Sequence, residues 1–329
     1  MLWLRAKQGR QQYVERISQC IRIPSANQLI MSLLDGSISS PPYQISSTSR
    51  PYKQWILTVD TGTSCQRVQI YDPLSRCYHL MKDMIIKQRG EIRSIICHNR
   101  QVVVIFDKYP SSPSVLIFDL DTRQWTKLPD SHRILTHVRA VVVGNKLYLI
   151  GNNGCGLTEI VIFDFGTKQW SSGSGSSMNS WNLKVVAIGK YIYVTDTRFD
   201  PDVPNRVDRY NTDKDTWESV APMLYDKHKL QIIAHKGKIY AAGVVTGTDG
   251  NSTNTMEVYD PDRNTWSELK TNYQPEFIAS LVSTHEGIYA NAAGLHLYNV
   301  EKNEWKLVNN RIIEWGLSCA IPVSPYYGA

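Results

Sequence analysis

Apolar and polar positions alternate along this chain in short runs rather than in long helical stripes. The clearest example reads Arg139-Ala-Val-Val-Val143, then a Gly144-Asn145 turn, then Lys146-Leu-Tyr-Leu-Ile150. Residues 185–194 and 232–242 have the same form. β-Branched and aromatic residues on both sides of a short polar turn are typical of antiparallel hairpins. The pattern therefore predicts an all-β chain.

A second pattern recurs six times. An aromatic residue followed by Asp or Asn is followed, seven residues later, by another aromatic residue. The pairs are Tyr71 and Tyr78, Phe118 and Trp125, Phe163 and Trp170, Tyr210 and Trp217, Tyr259 and Trp266, and Tyr298 and Trp305. Each pair encloses turn-forming residues and follows an upstream hairpin, which makes four strands in a repeat of about 45 residues. Such a repeat is typical of a propeller blade, so we predict a six-bladed β-propeller.

The two ends of this array predict how the ring closes. The first repeat begins at Trp55 and has no innermost strand before it, whereas residues 317–323 form a surplus strand after the last repeat. That C-terminal strand would complete the first blade and remove an exposed sheet edge.

The chain before the ring has a different character. Residues 8–21 and 27–34 carry apolar residues at helical spacing, separated by Pro24. Residues 35–53 are rich in Ser and Pro and read as a linker. We expect a helical segment over residues 1–34, this linker, and the propeller over residues 54–329.

Composition and charge restrict the classes of function. The net charge is +6, and the basic residues are dispersed among 30 acidic ones without a basic block, which argues against nucleic-acid binding. Six cysteines are scattered without paired spacing, which is typical of reduced thiols in a cytoplasmic protein. The N-terminus lacks a signal-peptide core, and no apolar run reaches the roughly 18 residues of a membrane span.

The repeated residues favour structural roles over chemistry. We expect the closing aromatics Tyr78, Trp125, Trp170, Trp217, Trp266 and Trp305 to pack between blades. The Asp or Asn after each first aromatic is expected to accept hydrogen bonds within its turn. No nucleophile elbow, phosphate loop or metal-ligand spacing occurs in the sequence. The sequence therefore predicts no catalytic residue, no metal and no cofactor.

The aromatic-Asp pattern with its upstream hairpins resembles the Kelch repeat and covers about residues 54–323. Trp3, Gln11-Gln12-Tyr13 and Ile21-Arg22-Ile23-Pro24 are similar to the end of a BACK domain. Together they resemble the BTB-BACK-Kelch, or Kelch-like, family. The resemblance implies a substrate adaptor of a cullin-RING ubiquitin ligase, in which the BTB domain engages the cullin and the propeller captures the substrate. No BTB domain precedes these segments, so we expect cullin binding only through a BTB domain supplied by more chain or by a partner. The sequence leaves open whether the chain is a fragment of a longer protein or an isoform without a BTB domain.

One feature departs from the family. Typical Kelch repeats end the second strand of each blade with two glycines, and no repeat here keeps both. The corresponding pairs are read as Asp60-Thr61, Ile105-Phe106, Gly151-Asn152, Asp196-Thr197, Gly243-Val244 and Ala292-Ala293. Binding specificity is therefore not carried over from the family.

The resemblance implies that two kinds of loop position bind a partner. Positions before the innermost strands are Arg89, Leu135, Ser180, Lys227, Glu276 and Glu314, and those after the second strands are Gly62, Asp107, Asn153, Arg198, Val245 and Gly294. Trp181, His228 and Trp315 are neighbours of the first set. From these we select Arg89, Asp107, Asn153, Trp181, Arg198, Lys227, His228, Glu276, Glu314 and Trp315 as partner-binding residues, because Trp and Arg are common anchors in interfaces.

Two other functions stay open at this stage. Some Kelch proteins bind actin, so a cytoskeletal scaffold is the first alternative. Some Kelch-containing propellers are enzymes, but a radical-copper oxidase needs a Tyr-Cys-His cluster that the sequence does not clearly contain. We expect a protein-binding module rather than an enzyme.

Overall fold

The computed structural model describes residues 54–60, 67–84, 86, 90–107, 111–179, 182–196, 205–247, 250–311 and 316–322. The BACK-like segment and the linker predicted for residues 1–53 lie outside this part of the chain.

The described residues form six antiparallel sheets of four strands each, which are the six predicted blades. In chain order, the strands are β1 (Gln54–Asp60), β2 (Arg67–Asp72), β3 (Cys77–Leu80), β4 (Glu91–His98), β5 (Gln101–Asp107), β6 (Ser114–Asp119), β7 (Trp125–Lys127), β8 (Thr136–Val143), β9 (Lys146–Asn152), β10 (Leu157–Asp164), β11 (Gln169–Asn179), β12 (Leu183–Ile188), β13 (Tyr191–Asp196), β14 (Val207–Asn211), β15 (Thr216–Val220), β16 (His228–His235), β17 (Lys238–Thr246), β18 (Ser252–Asp260), β19 (Thr265–Glu268), β20 (Ser280–Ser283), β21 (Ile288–Ala292), β22 (Gly294–Asn299), β23 (Glu304–Asn309) and β24 (Gly316–Pro322). The six-bladed propeller is confirmed.

The predicted closure of the ring is also confirmed. Strand β24 pairs antiparallel with β1, with Gln54 opposite Pro322 and Asp60 opposite Gly316. The first blade thus has the strand order β24-β1-β2-β3, and both ends of the array share one sheet. The innermost strands β24, β4, β8, β12, β16 and β20 contact one another in a ring around the centre.

Each closing aromatic packs against the first aromatic of its own blade. In every blade the closing residue lies directly opposite the first aromatic on the neighbouring strand, as with Tyr210 and Trp217. The ring centroids of the six pairs are 4.9 to 5.2 Å apart. Offset, tilted rings at this distance bury large apolar area and hold the outer hairpin of the blade together.

The turns between these aromatics contain the predicted Asp and Asn hydrogen bonds. The Oδ1 atom of Asp72 accepts from the Leu74 amide at 2.9 Å, and that of Asn299 accepts from the Lys302 amide at 2.9 Å. The same arrangement recurs in the four remaining blades. These side chains replace backbone partners that a tight turn leaves unsatisfied.

A second kind of hydrogen bond in these turns was not predicted from the sequence. In three blades the first aromatic is a tyrosine whose hydroxyl donates to an Asp or Asn five residues later, at 2.6 to 2.7 Å. The acceptors are Asp215, Asn264 and Asn303, and each has a φ of 52° to 54°. Asp and Asn tolerate this left-handed conformation better than most residues. The signal was visible in the sequence, because Tyr followed five residues later by Asp or Asn recurs in these three repeats.

Candidate protein-binding surface

The two ends of the propeller differ in their connections. At one end short turns such as Gly144-Asn145 and Lys236-Gly237 join each innermost strand to the second strand. At the other end the innermost strands begin and the second strands finish, so the longer connections lie there. We call this second end the loop face. The predicted partner-binding residues that the structure describes belong to loop-face connections or to the strand ends beside them.

Five of the ten predicted partner-binding residues lie in the described part of the chain: Asp107, Asn153, Lys227, His228 and Glu276. The other five, Arg89, Trp181, Arg198, Glu314 and Trp315, lie outside the described residues.

Lys227 does not present its charge to a partner. The residue is 1% exposed, and its Nζ atom forms an ion pair with the Oε1 atom of fully buried Glu257. Glu257 also accepts hydrogen bonds from the amides of Leu224 and Tyr225, at 2.7 and 3.2 Å. The side chain of Lys227 therefore fastens its own loop to β18. The prediction that Lys227 binds a partner is therefore corrected, because this residue has a structural role.

Leu135 lies at the same distance before its inter-strand turn as Lys227 and is also fully buried. The two residues pack against the glycines that remain from the family's Gly-Gly pairs. An added Cβ at Gly151 would lie 3.2 Å from the Leu135 Cβ, and one at Gly243 would lie 3.0 Å from the Lys227 Cβ. Backbone approaches as closely, since the same Cβ atoms would lie 2.9 Å from the Thr136 carbonyl oxygen and 3.0 Å from that of His228, so glycine fits both positions without a clash.

The strand register corrects one of the predicted Gly-Gly positions. Gly151 pairs with Glu159, which lies four residues before its blade's first aromatic, and Phe106 pairs with Ser114, at the same spacing from Phe118. Phe106 is thus the counterpart of Gly151, and the pair in the second blade is Phe106-Asp107. The sequence alignment was one residue off because an unbroken apolar run leaves the register of β5 undefined.

Asp107 and Asn153 organise the loop face from within. The Oδ2 atom of Asp107 accepts from Arg93 Nε at 3.3 Å and from the His137 amide at 3.0 Å, which joins the second blade to the third. Asn153 donates to Glu159 and accepts from the Cys155 amide, at 3.0 and 2.9 Å. Both side chains shape the surface through these bonds, although the buried Oδ1 atom of Asp107 has no hydrogen-bond partner.

His228 and Glu276 are exposed at the loop face, as a binding role requires. The residues after them share an unusual backbone. Lys229 and Phe277 have φ values of 53°, and His137 occupies the same place in the third blade with a φ of 55°. Each of the three lies six residues before the last residue of its innermost strand. Non-glycine residues rarely adopt this conformation, and bulky ones such as Phe incur strain in it.

Among the described residues of this surface, Phe277 is the most exposed aromatic, at 62%. The Nζ atom of Lys229 lies 4.3 Å from the centre of its ring, a distance typical of a cation–π contact. Lys229 and Phe277 were not predicted as binding residues, because a positive φ at such residues cannot be inferred from the amino-acid sequence. Their place in the repeat, next to His228 and Glu276, was the only available signal.

His137 lies between charged groups of two blades. Burial and the nearby Arg93 lower the pKa of its imidazole below the ordinary value, whereas Asp107 acts in the opposite direction. The ring is therefore largely neutral at physiological pH. Because the His137 imidazole is neutral, it adds no positive charge to that of Arg93 on β4 and Arg139 on β8, which lie near the centre of the propeller.

Across the described residues, no group of three or more His, Cys, Asp and Glu side chains is arranged to hold a metal ion. Nor does the described part of the chain contain a helix that is long and apolar enough to cross a membrane.

Comparison with known proteins agrees with this geometry. The family model of the Kelch motif matches residues 232–272, which extend from within β16 to just past β19. Kelch-like protein 40 of Xenopus laevis is 41% identical over 86 residues, and that of Xenopus tropicalis is 42% identical over the same length. One blade thus matches the Kelch motif, and a segment of 86 residues is similar to part of Kelch-like protein 40.

The similarity to individual Kelch-like proteins is local. The matches to Kelch-like protein 40 cover 26% of this chain and 14% of each relative. Human Kelch-like protein 23 is 24% identical over 116 residues, which are 32% of this chain and 20% of that protein. The matched segments thus represent a small part of those relatives, and the activities of the whole relatives do not transfer directly to this chain.

Proposed function

We propose that the loop face of this Kelch-like propeller binds a protein and selects it as the substrate of a cullin-RING ubiquitin ligase. In this proposal the cullin is engaged only through a BTB domain, and the propeller itself carries out no chemistry. The cytoplasm is the proposed location, which the four free cysteines among the described residues support.

The observation that carries the proposal is the conformation of His137, Lys229 and Phe277. Strained backbone is retained where the surrounding structure holds it, and such residues concentrate at binding and catalytic sites. Here the strain holds Phe277 on an open surface, although burying an aromatic ring would be favourable. An exposed aromatic ring in a fixed orientation is a typical anchor of protein interfaces.

The chemistry of the surface favours a partner of mixed character. Phe277 supplies apolar area, Lys229 and His228 supply basic groups, and Glu276 supplies an acidic group. We propose that Arg89, Trp181, Arg198, Glu314 and Trp315 extend this surface, on the basis of their positions in the repeats. Charges at the edge of such an interface steer encounter and exclude uniformly acidic or basic ligands.

Photo-crosslinking tests this proposal. A photoreactive phenylalanine analogue replaces Phe277 in one full-length variant and Asn145, in an opposite-face turn, in a matched control. We expect specific proteins to be crosslinked from cytosol at position 277 and not at position 145. A Phe277→Ser, Glu276→Lys chain should weaken binding of the purified partner by at least about tenfold. Ubiquitylation of that partner should require a BTB protein.

Two results would contradict the proposal. Equal crosslinking at both positions would show that the loop face is not selective. Co-sedimentation of the purified chain with actin filaments, insensitive to the Phe277 and Glu276 substitutions, would instead favour a cytoskeletal scaffold.

A further inference from the structure

The six innermost strands enclose a central cavity of about 580 Å³. Its wall includes residues of β4, β8, β12, β16, β20 and β24, and most of them are apolar. We call this cavity the central channel. It is separate from the loop-face residues Phe277 and Glu276, neither of which lines it.

One level of the channel is polar. Five residues of the innermost strands occupy the same register. Each lies opposite a residue of the second strand, and that residue in turn pairs with the third-strand residue three positions before the first aromatic of the blade. They are Ser94, Arg139, Lys184, Gln231 and Ser280. The residues that follow them, such as Ala140 and Val185, are mostly apolar. Polar residues on five neighbouring strands therefore lie at one level of a mostly apolar wall.

The charge at this level is not balanced. Three cationic residues line the channel, namely Arg93, Arg139 and Lys184, whereas none of its described lining residues is acidic. Arg93 is neutralised, since it forms ion pairs with Glu91 at 2.8 Å and Asp107 at 3.3 Å. The guanidinium of Arg139 donates to its neighbour's carbonyl at Val138, at 3.1 Å. Among the described residues, no carboxylate lies within ion-pair distance of Arg139 or Lys184.

The two unbalanced cations disfavour each other. Burial, together with the charge of Arg139, lowers the pKa of Lys184 to about 7. Burial and the charge of Arg93 lower the pKa of Arg139 to about 10, whereas the charges of Glu91 and Asp107 act in the opposite direction. Partly buried cations without a counter-charge are unfavourable, because the channel wall replaces much of their hydration. Both side chains remain partly exposed, so a small solute can reach them.

We propose that this level of the central channel is an anion-binding site, in which Arg139 and Lys184 bind a phosphate or carboxylate group. Arg139 presents paired N–H donors that match such a group, and Lys184 supplies a point charge. The Gln231 amide and the Ser94 hydroxyl lie at the same level as further donors, whereas the Ser280 hydroxyl donates to Ser318 Oγ at 3.1 Å. The volume accommodates a small polyanion or the side chain of an inserted peptide segment.

Anion binding at this site is coupled to a proton. A bound anion favours the ammonium form of Lys184, so part of the protein population takes up a proton on binding. Affinity is therefore expected to be high below about pH 7 and to fall as the pH rises above it. Arg139 stays charged over this range, and the pH dependence is assigned to Lys184.

Calorimetric titration of the full chain with inorganic pyrophosphate tests for a free anion, and titration with a triglutamate peptide tests for a polypeptide carboxylate. We expect at least one probe to bind, with at least about tenfold weaker affinity in Arg139→Met and Lys184→Met chains. Lys146→Met, beside an opposite-face turn, is the matched control and should bind as the unaltered chain does. Affinity should decrease between pH 6 and pH 8 in the unaltered chain, and the Lys184→Met chain should lose most of that decrease.

The two probes distinguish the sources of the anion. Preferential binding of pyrophosphate would indicate a small free ligand, and preferential binding of triglutamate would indicate a segment of a protein partner. The proposal is wrong if neither probe binds, or if both channel variants bind as tightly as the unaltered chain. Failure to fold does not complicate this result, because methionine in place of a partly buried, unpaired cation should preserve or raise the melting temperature.

Discussion

The indole Nε1 atom of Trp217 donates a hydrogen bond to the carbonyl oxygen of Ser174, 2.7 Å away, across the boundary between the fourth and third blades. Trp170 and Trp266 form the same kind of bond to Pro129 and Ala221 of the preceding blade, at 2.8 and 2.9 Å. These three tryptophans thus connect successive blades as well as packing within their own.

Replacing Trp217 with Phe should therefore cost more stability than the same change at Trp125. Both indoles are partly buried and stack on the first aromatic of their blade. The Trp125 Nε1 atom, however, has no hydrogen-bond partner. We expect Trp217→Phe to lower the free energy of unfolding by about 1 kcal/mol more than Trp125→Phe. Urea denaturation measures both, and equal losses would show that the bond to Ser174 contributes nothing.

The buried pair of Lys227 and Glu257 predicts a larger effect. Lys227→Met should lower the free energy of unfolding by about 3 kcal/mol, because it leaves the Glu257 carboxylate buried without its counter-charge. Lys127→Met is the matched control, since Lys127 pairs with Asp130 at 2.7 Å on the exposed surface. That change should cost less than about 1 kcal/mol. A similar small loss in both variants would exclude a structural role for the Lys227 charge.

Closure of the ring predicts that the C-terminal strand is essential. A chain that ends at residue 316 loses nearly all of β24, so the first blade lacks its innermost strand and two sheet edges are unpaired. We expect this chain to aggregate or to lose its cooperative thermal transition. Circular dichroism melting and size-exclusion chromatography test the expectation, and a soluble protein with an unchanged transition would contradict it.

The lowered pKa of Lys184 predicts that the stability of the protein depends on pH. Its folded-state pKa of about 7 lies below the ordinary lysine value of 10.5. Between these values the unfolded chain binds more protons than the folded one, so stability should rise with pH across this window. The slope from this residue is at most about 1.4 kcal/mol per pH unit. Urea denaturation from pH 7 to pH 10 should show the rise, and it should be shallower in a Lys184→Met chain.

The sequence by itself determined the six-bladed architecture. The spacing of Tyr71 and Tyr78, and of their five counterparts, reports a local hairpin, because the aromatic rings and the turn between them depend on only about eight residues. The surplus strand at residues 317–323 predicted the closure for a similarly simple reason. A blade needs four strands, and the first repeat contains only three.

Only the tertiary structure decided which side chains are available at the loop face and in the channel. Lys227 and Glu276 look equivalent in the sequence, yet one forms a buried ion pair with Glu257, 30 residues away, and the other is exposed. Phe277 is held at the surface by a positive φ angle, which cannot be inferred from its residue type. Arg139 and Lys184 are 45 residues apart and belong to different repeats. Their proximity in the channel arises because closure of the ring brings the innermost strands together, which no local pattern encodes.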